Sequence, residues 1–231
     1  MRLLIIGDGR MGRAIETMAG DRGHEVVGIL GAAANRDGAG IPAFRDRADM
    51  AIEFTQPAAA VANVKACIAA ALPVVCGTTG WGTRHHEVEE EVWTAMGSLL
   101  VAPNFSLGVA LFTALAEQAG ALFAAHPQYE VALVETHHSA KKDAPSGTAI
   151  SVKEAAERSL GRAIPTNSVR VGSVPGTHTL LFDGPFEQIV LSHEARDRRV
   201  FADGALRAAE WLAGRQGVFS MRDVLGMGRR P

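Results

Sequence analysis

The stretch "HHSAKKDAPSGTA", residues 137–149, crowds two histidines, two lysines and a proline-anchored turn in front of small residues that open a helix. Imidazole titrates near neutrality and suits general acid work, so His137 or His138 can hand a proton to a reacting centre. Lys141 or Lys142 adds positive charge for an anionic substrate. Asp143 or Ser146 can cap the helix that follows, and the free N–H groups of its first turn then point outward, where anions bind. Two anion-holding devices in one segment point to a substrate with at least one carboxylate, and a dicarboxylate uses both. A metal centre built on Glu135, His137 and His138 is the rival use of these residues. The spacing is E-x-H-H, adjacent strand residues face opposite ways, and no third ligand stands out, so no metal is expected. The plain alternative is a histidine that serves only the fold.

A second chemical signal lies at the start of the chain. Gly7, Gly9 and Gly12 form G-x-G-x-x-G directly after an apolar run and before a helical pattern. Gly7 permits a tight turn, Gly9 lets a pyrophosphate approach the backbone, and Gly12 lets the helix pack close to the strand. The helix N-terminus adds free N–H groups and partial positive charge for phosphates. NAD-selective versions of this turn place an acidic residue about 20 positions further on, to hold the adenosine ribose. Here the corresponding loop, "GAAANRDG" (31–38), offers Asn35 and Arg36 instead. The guanidinium of Arg36 matches the 2′-phosphate of NADP, which predicts that NADPH is accepted at least as well as NADH. A solvated loop arginine is the alternative.

The elements that must position these groups can be read from periodicity. Strands are expected at Arg2–Ile6, Glu25–Leu30, Asp49–Thr55, Pro73–Gly77 and Ser98–Ala102, alternating with helices at Arg10–Ala19, Pro57–Ala71 and Thr83–Met96. Such alternation argues for a parallel α/β sheet. After Asn104 the rhythm changes: a helix from Leu107 to Ala125, a strand from Tyr129 to His138, and a helix from Gly147 to Leu160. Strands near Val169–Val171, His178–Phe182 and Glu187–His193 then follow without helices between them, which suggests a mixed sheet. A last helix, Phe201–Arg215, resumes the first style. The expected organisation is a Rossmann-like dinucleotide domain (1–103, completed by 204–231), interrupted by a mixed α/β substrate and oligomerisation domain (104–203).

Composition narrows the partners. A chain of 231 residues with net charge −2 and 47% hydrophobic residues suits a globular protein, with no basic excess for nucleic acid. Its two cysteines, Cys67 and Cys76, make neither a disulfide framework nor a metal spacing, which fits a reducing compartment. No apolar run is long enough for a membrane span or a signal-peptide core, so a cytoplasmic location is expected.

"VETHHSAKKDAPSGTA" resembles the signature of the 4-hydroxy-tetrahydrodipicolinate reductase (dihydrodipicolinate reductase) family of bacterial and plant lysine biosynthesis, roughly E-x-H-H-x-x-K-x-D-A-P-S-G-T-A. The resemblance extends through "GDGRMG" (7–12), "EFTQP" (53–57), "CGTTG" (76–80), "APNFSLGV" (102–109), "RVGSVPGTHT" (170–179) and "FADGALRAAEWL" (201–212). It implies His137 as proton donor or acceptor, Lys141 as a second proton donor, and His138 in contact with substrate. Gly147 and Thr148 would hold a carboxylate. Cofactor contacts would fall on Gly7, Asp8, Gly9, Arg10, Met11 and Gly12, on Gly77, Thr78 and Thr79, and on Ala102, Pro103, Asn104 and Phe105. Asn35 stands where the family often has an acidic residue, and the glycine loop is one residue shorter than the family's common form. The resemblance further implies NADPH or NADH as cofactor, a small dicarboxylate substrate and a homotetramer.

Two other functions compete: a different NAD(P)-dependent oxidoreductase of a small carboxylate, and a non-catalytic regulator that senses NADP. A sensor has no use for a proton donor beside an anion pocket, so His137 and Lys141 favour an enzyme.

Overall fold

The computed structural model describes residues 1–227. In chain order the elements are β1 (Arg2–Ile6), α1 (Arg10–Ala19), β2 (Glu25–Leu30), β3 (Met50–Glu53), α2 (Pro57–Ala69), β4 (Val74–Cys76), α3 (His85–Thr94), β5 (Ser98–Val101), α4 (Leu107–Phe123), β6 (Glu130–His137), α5 (Gly147–Leu160), β7 (Thr166–Arg170), β8 (Thr177–Asp183), β9 (Gln188–Glu194), α6 (Arg199–Leu212), β10 (Gly217–Phe219) and α7 (Met221–Val224). They fall into two compact units, one of Met1–Ser106 with the chain from Arg199 onward, the other of Leu107–Arg198. The chain thus rejoins the first unit at the N-terminus of α6, ahead of Gly204. Of the segment expected to complete that unit, residues 228–231 lie outside the described residues.

The first unit is built on a six-stranded sheet in the order β10-β5-β4-β3-β1-β2, every pairing parallel. A parallel sheet covered on both faces needs near-continuous apolar strands. "LLII" in β1 and "VVC" in β4 meet that need, every one of these residues being buried. Sequential order breaks between β1 and β3, so the carboxyl ends of these strands flank a crevice of the kind that binds nucleotides in open α/β sheets. β10, three residues between two turns, had no periodic signature of its own. It adds the sixth strand beside β5.

The second unit is a four-stranded sheet, β7-β6-β8-β9, with β6–β7 parallel and the other two pairs antiparallel. Side chains alternate along β6, and Val131, Leu133, Glu135 and His137 are its buried set. Val131 and Leu133 share a core with Phe112, Ala116, Val152, Ala156, Leu180 and Phe182 from α4, α5 and β8. The two helices approach closely enough that a methyl group on Gly120 would lie 2.5 Å from the Ala156 carbonyl oxygen. Because β7 runs parallel to β6, the chain must cross over between them through α5. That crossover starts α5 from the end of β6 that carries His137.

No helix among the described residues is long and apolar enough to cross a membrane.

Candidate active site

In the first unit the glycine turn is built as its spacing predicts. Gly7 has φ +112°, and a Cβ there would meet the Phe54 carbonyl oxygen at 2.1 Å. A Cβ on Gly12 would meet the Gly7 carbonyl oxygen at 1.9 Å, so only glycine lets α1 seat this close to β1. Gly9 is different: nothing lies within 4 Å of a Cβ there, and no side chain caps α1. Its open face and the uncapped first turn at Arg10, Met11 and Gly12 suit a diphosphate.

A cavity of about 380 Å³ adjoins this turn, lined in part by Asp8, Gly9, Gly31, Asn35, Arg36 and Thr55. Asn35 is buried. Its Nδ2 donates to Asn63 Oδ1 at 2.8 Å and its Oδ1 accepts from the Gly40 N–H at 3.1 Å, so the amide braces the cavity wall. Behind it Glu53, fully buried, accepts from Asn63, Thr55 and Cys76. Thr78 Oγ1 accepts from the Thr55 N–H at 2.7 Å, joining the turns after β3 and β4. Gly77 leaves room for the Phe54 ring, which a Cβ would strike at 2.1 Å. Thr79 and Pro103 are exposed, whereas Ala102 and Phe105 are buried, Phe105 against Phe54 with ring centroids 5.6 Å apart. From Phe105, then, a ligand could meet backbone only. Glycines that a Cβ would fill, an uncapped helix end and an adjoining cavity together fit a dinucleotide.

In the second unit the chemistry gathers on one face of the sheet. Glu135 and His137 are two apart on β6, so they point the same way, and His138 directly follows the strand. Register brings further groups beside them. Glu135 pairs across β6–β8 with His178 and across β6–β7 with Ser168, while His137 pairs with Arg170. Glu135 is 0% exposed, His137 7% and His178 3%.

Both oxygens of the Glu135 carboxylate are engaged. One accepts from Arg170 Nη2 at 2.7 Å, and the other accepts from His137 Nδ1–H. Burial alone would raise the Glu135 carboxyl, but hydrogen bonds from Arg170 and Ser168 and the charge of His137 outweigh it and hold the group ionised. Burial also dominates at His137 and pushes its imidazole below the ordinary value. The Glu135 carboxylate pulls the other way, and the Lys141 and Arg170 charges add to the lowering. With Nδ1 donating to Glu135, Nε2 is the nitrogen left for chemistry. It faces Gly176, where a Cβ would come within 2.9 Å of it, so the backbone of the 171–176 loop passes close by.

His178 lies edge-on to His137, ring centroids 5.2 Å apart, and burial first of all lowers its pKa to about 4. Its Nε2 is 3.1 Å from Ser146 Oγ. Ser146 is the N-cap of α5 and accepts from the Ala149 N–H at 3.1 Å. The buried pair of His137 and His178 and the helix N-terminus are thereby joined through one hydroxyl. Gly147, the first residue of α5, is exposed, with nothing within 4 Å of a Cβ. Thr148 follows it in the same first turn. Lys141 holds Asp143 at 2.7 Å, whose carboxyl is lowered by that hydrogen bond. Lys142 is exposed.

Glu135, His137 and His178 offer donor atoms within 4.8 Å of one another. A metal would have to compete for a carboxylate already shared between a guanidinium and an imidazole N–H. Reading the sequence alone singles out neither Arg170 nor His178 as part of the site. The signal available was the E-x-H spacing on one strand face, but strand register, which sequence does not display, selects their partners.

Residues 1–105 match the family model described as dihydrodipicolinate reductase, N-terminus, and residues 108–225 the one described as dihydrodipicolinate reductase, C-terminus. A 4-hydroxy-tetrahydrodipicolinate reductase of Rhodopseudomonas palustris (strain BisA53) is 38% identical, the match covering 99% of this chain and 97% of the relative. One of Christiangramia forsetii is 35% identical over 97% of this chain and 98% of its own. The dipicolinate-bound dihydrodipicolinate reductase from Paenisporosarcina sp. TG-14 shares the fold, with a TM-score of 0.81 at 20% identity over 95% of this chain and 97% of that one. With both halves matched and relatives aligned nearly end to end, the chain belongs to the dihydrodipicolinate reductase family.

Proposed function

We propose that this protein reduces 4-hydroxy-tetrahydrodipicolinate to tetrahydrodipicolinate with NADPH or NADH, the 4-hydroxyl leaving as water, in the diaminopimelate route to lysine. The observation that carries the reading is His137, a buried imidazole oriented by the Glu135–Arg170 pair and linked through His178 and Ser146 to an open helix N-terminus. Family membership supports it, and the Paenisporosarcina relative binds dipicolinate, a flat dicarboxylate.

The first unit is the dinucleotide-binding domain in this reading, with the turns at 7–12, 77–79 and 102–105 against the cofactor. When bound, the reduced nicotinamide supplies the hydride. The second unit is the substrate domain. The N–H groups of Gly147 and Thr148 hold one carboxylate of the substrate, and Lys141 and His138 meet its other polar groups. Binding both charges fixes the ring and its orientation, which lowers the barrier. His137 Nε2 delivers a proton to the electron density that hydride addition creates, and Lys141 can serve as a second donor. A dianion beside His137 favours its protonated form, opposing the burial that lowers its pKa.

The second unit also assembles the homotetramer in this reading. Phe186, between β8 and β9, is fully exposed, and Val169, Val171, Ile189 and Val190, on or directly beside the outer strands, are about half exposed. Sedimentation tests this, and a monomer at micromolar concentration refutes it. The enzymatic reading is tested by adding freshly made substrate to protein and reduced nucleotide. Loss of nicotinamide absorbance is expected, and none with either NADPH or NADH overturns it.

A further inference from the structure

We infer that Asp8, in the glycine turn, takes the ribose-binding place that an acidic residue at the end of β2 usually fills, and so tilts the enzyme toward NADH. The inference rests on the reductase reading above.

In NAD-selective folds of this type, a carboxylate at the end of the second strand accepts hydrogen bonds from the adenosine ribose hydroxyls. Here the family's acidic position holds Asn35, and the residue directly after β2 is Gly31, which carries no side chain. The space is not left to solvent. A Cβ built on Gly31 would meet Asp8 Oδ2 at 2.5 Å and its Cγ at 2.9 Å, so the Asp8 carboxylate already stands where a residue-31 side chain would begin. The placement is fixed from the backbone, since the Gly7 N–H donates to the Leu30 carbonyl at 2.8 Å and ties the turn to the end of β2. Asp8, Gly31, Arg36 and Asp37 all line the same cavity.

The remaining polar groups of that wall sharpen the assignment. Asn35 is buried, holds Asn63 and Gly40 through its amide, and carries no charge, so it offers a ribose no ionised acceptor. Among the charged lining residues, two carboxylates, Asp8 and Asp37, face one guanidinium, Arg36. A 2′-hydroxyl gains an ionised acceptor there. A 2′-phosphate gains Arg36 but meets carboxylate charge as well, and like charges brought together disfavour binding. Arg36 keeps NADPH usable, and Asp8 makes NADH the better ligand. This runs opposite to the preference that Arg36 alone would predict.

Calorimetric titration with NADH and with NADPH, separately and without substrate, tests this on the whole protein. Wild type is expected to bind NADH more tightly. Asp8→Asn keeps the shape of an exposed side chain and removes its charge. It should weaken NADH about tenfold, the low end for a hydrogen bond to a charged partner, without weakening NADPH, so the preference moves at least tenfold toward NADPH. Asp37→Asn should leave the ratio near that of wild type. If Asp8→Asn binds both nucleotides in the wild-type ratio, or if the ratio follows Asp37 instead, the assignment is overturned while the reductase reading stands. A wild type that prefers NADPH overturns it in the same way. A wild type that binds neither nucleotide overturns both.

Discussion

Replacing Glu135 by Gln removes one charge from a buried site without changing its shape. The carboxylate presents two acceptor oxygens to Arg170 Nη2, His137 Nδ1–H and Ser168. An amide has only one oxygen, so one donor must then face an NH2 group. Arg170 keeps the carbonyls of Asp143 at 2.6 Å and Val169 at 2.7 Å, so it has other partners. The loss therefore falls mainly on His137, and the stability cost should stay at about 1–3 kcal/mol. Without its anchor the imidazole loses a hydrogen bond to a charged acceptor, worth about 1.5–3 kcal/mol, which corresponds to roughly a 10- to 100-fold fall in kcat. The pH profile gives an independent reading. Burial already lowers the His137 pKa and Glu135 opposes that lowering, so removing the carboxylate lowers it further. A general acid works only while protonated, so the alkaline fall in kcat should move to lower pH, about tenfold in rate per unit once above the pKa. Steady-state rates across pH, with folding checked by circular dichroism, measure both effects. A folded Glu135→Gln enzyme with wild-type kcat and an unmoved alkaline limb refutes the proposed anchoring of His137 by Glu135.

Other outcomes follow from the same geometry. His137→Gln should lower kcat by about 10²–10⁴-fold, with a smaller change in substrate affinity; Lys141→Ala should damage kcat and KM together, and steady-state kinetics separates the two. Gly147→Val puts a branched side chain into the open first turn of α5, so the inhibition constant of pyridine-2,6-dicarboxylate should rise with substrate KM while nucleotide affinity holds. A folded variant with unchanged inhibition removes the carboxylate from that helix end. His178 sets an acid limit on stability. Its folded pKa, about 4, lies below the ordinary 6.5, so the unfolded chain takes up the proton first as pH falls. The stability is fully present above 6.5 and is lost progressively toward 4, up to roughly 3 kcal/mol at the limit. Urea midpoints measured through that interval should fall less for His178→Gln than for wild type.

Local signals carried most of the fold. The apolar run before Gly7 and the glycine spacing defined β1 and α1, and the proline turn followed by small residues placed α5 at Gly147–Leu160 as expected. β10 was not legible, because "GVF" is too short for periodicity and exists as a strand only by pairing with β5. The site divides in the same way. His137, Lys141 and Gly147 lie within eleven residues and could be read together. Arg170 and His178 join them through the β6–β7 and β6–β8 registers, and single-sequence patterns do not encode which strand neighbours which. Asn35 illustrates the converse, since it lines the cavity and also holds Asn63 of α2, a pairing that the sequence does not display.

Both places proposed for anions have one design: a strand ends, the chain turns, and a helix begins, at Gly7–Gly12 without a side-chain cap and at His137–Gly147 with Ser146 as its cap. Amide groups of the main chain belong to every residue, so such a grip is nearly blind to the identity of what it holds. Discrimination must then be written in the few side chains at the rim. Substitutions that retune the choice of ligand should cluster there, while the turns themselves tolerate change only where it leaves the backbone path intact. An enzyme organised this way can be re-addressed to a different nucleotide or a different diacid by editing its margins, with the strands and helices behind them untouched.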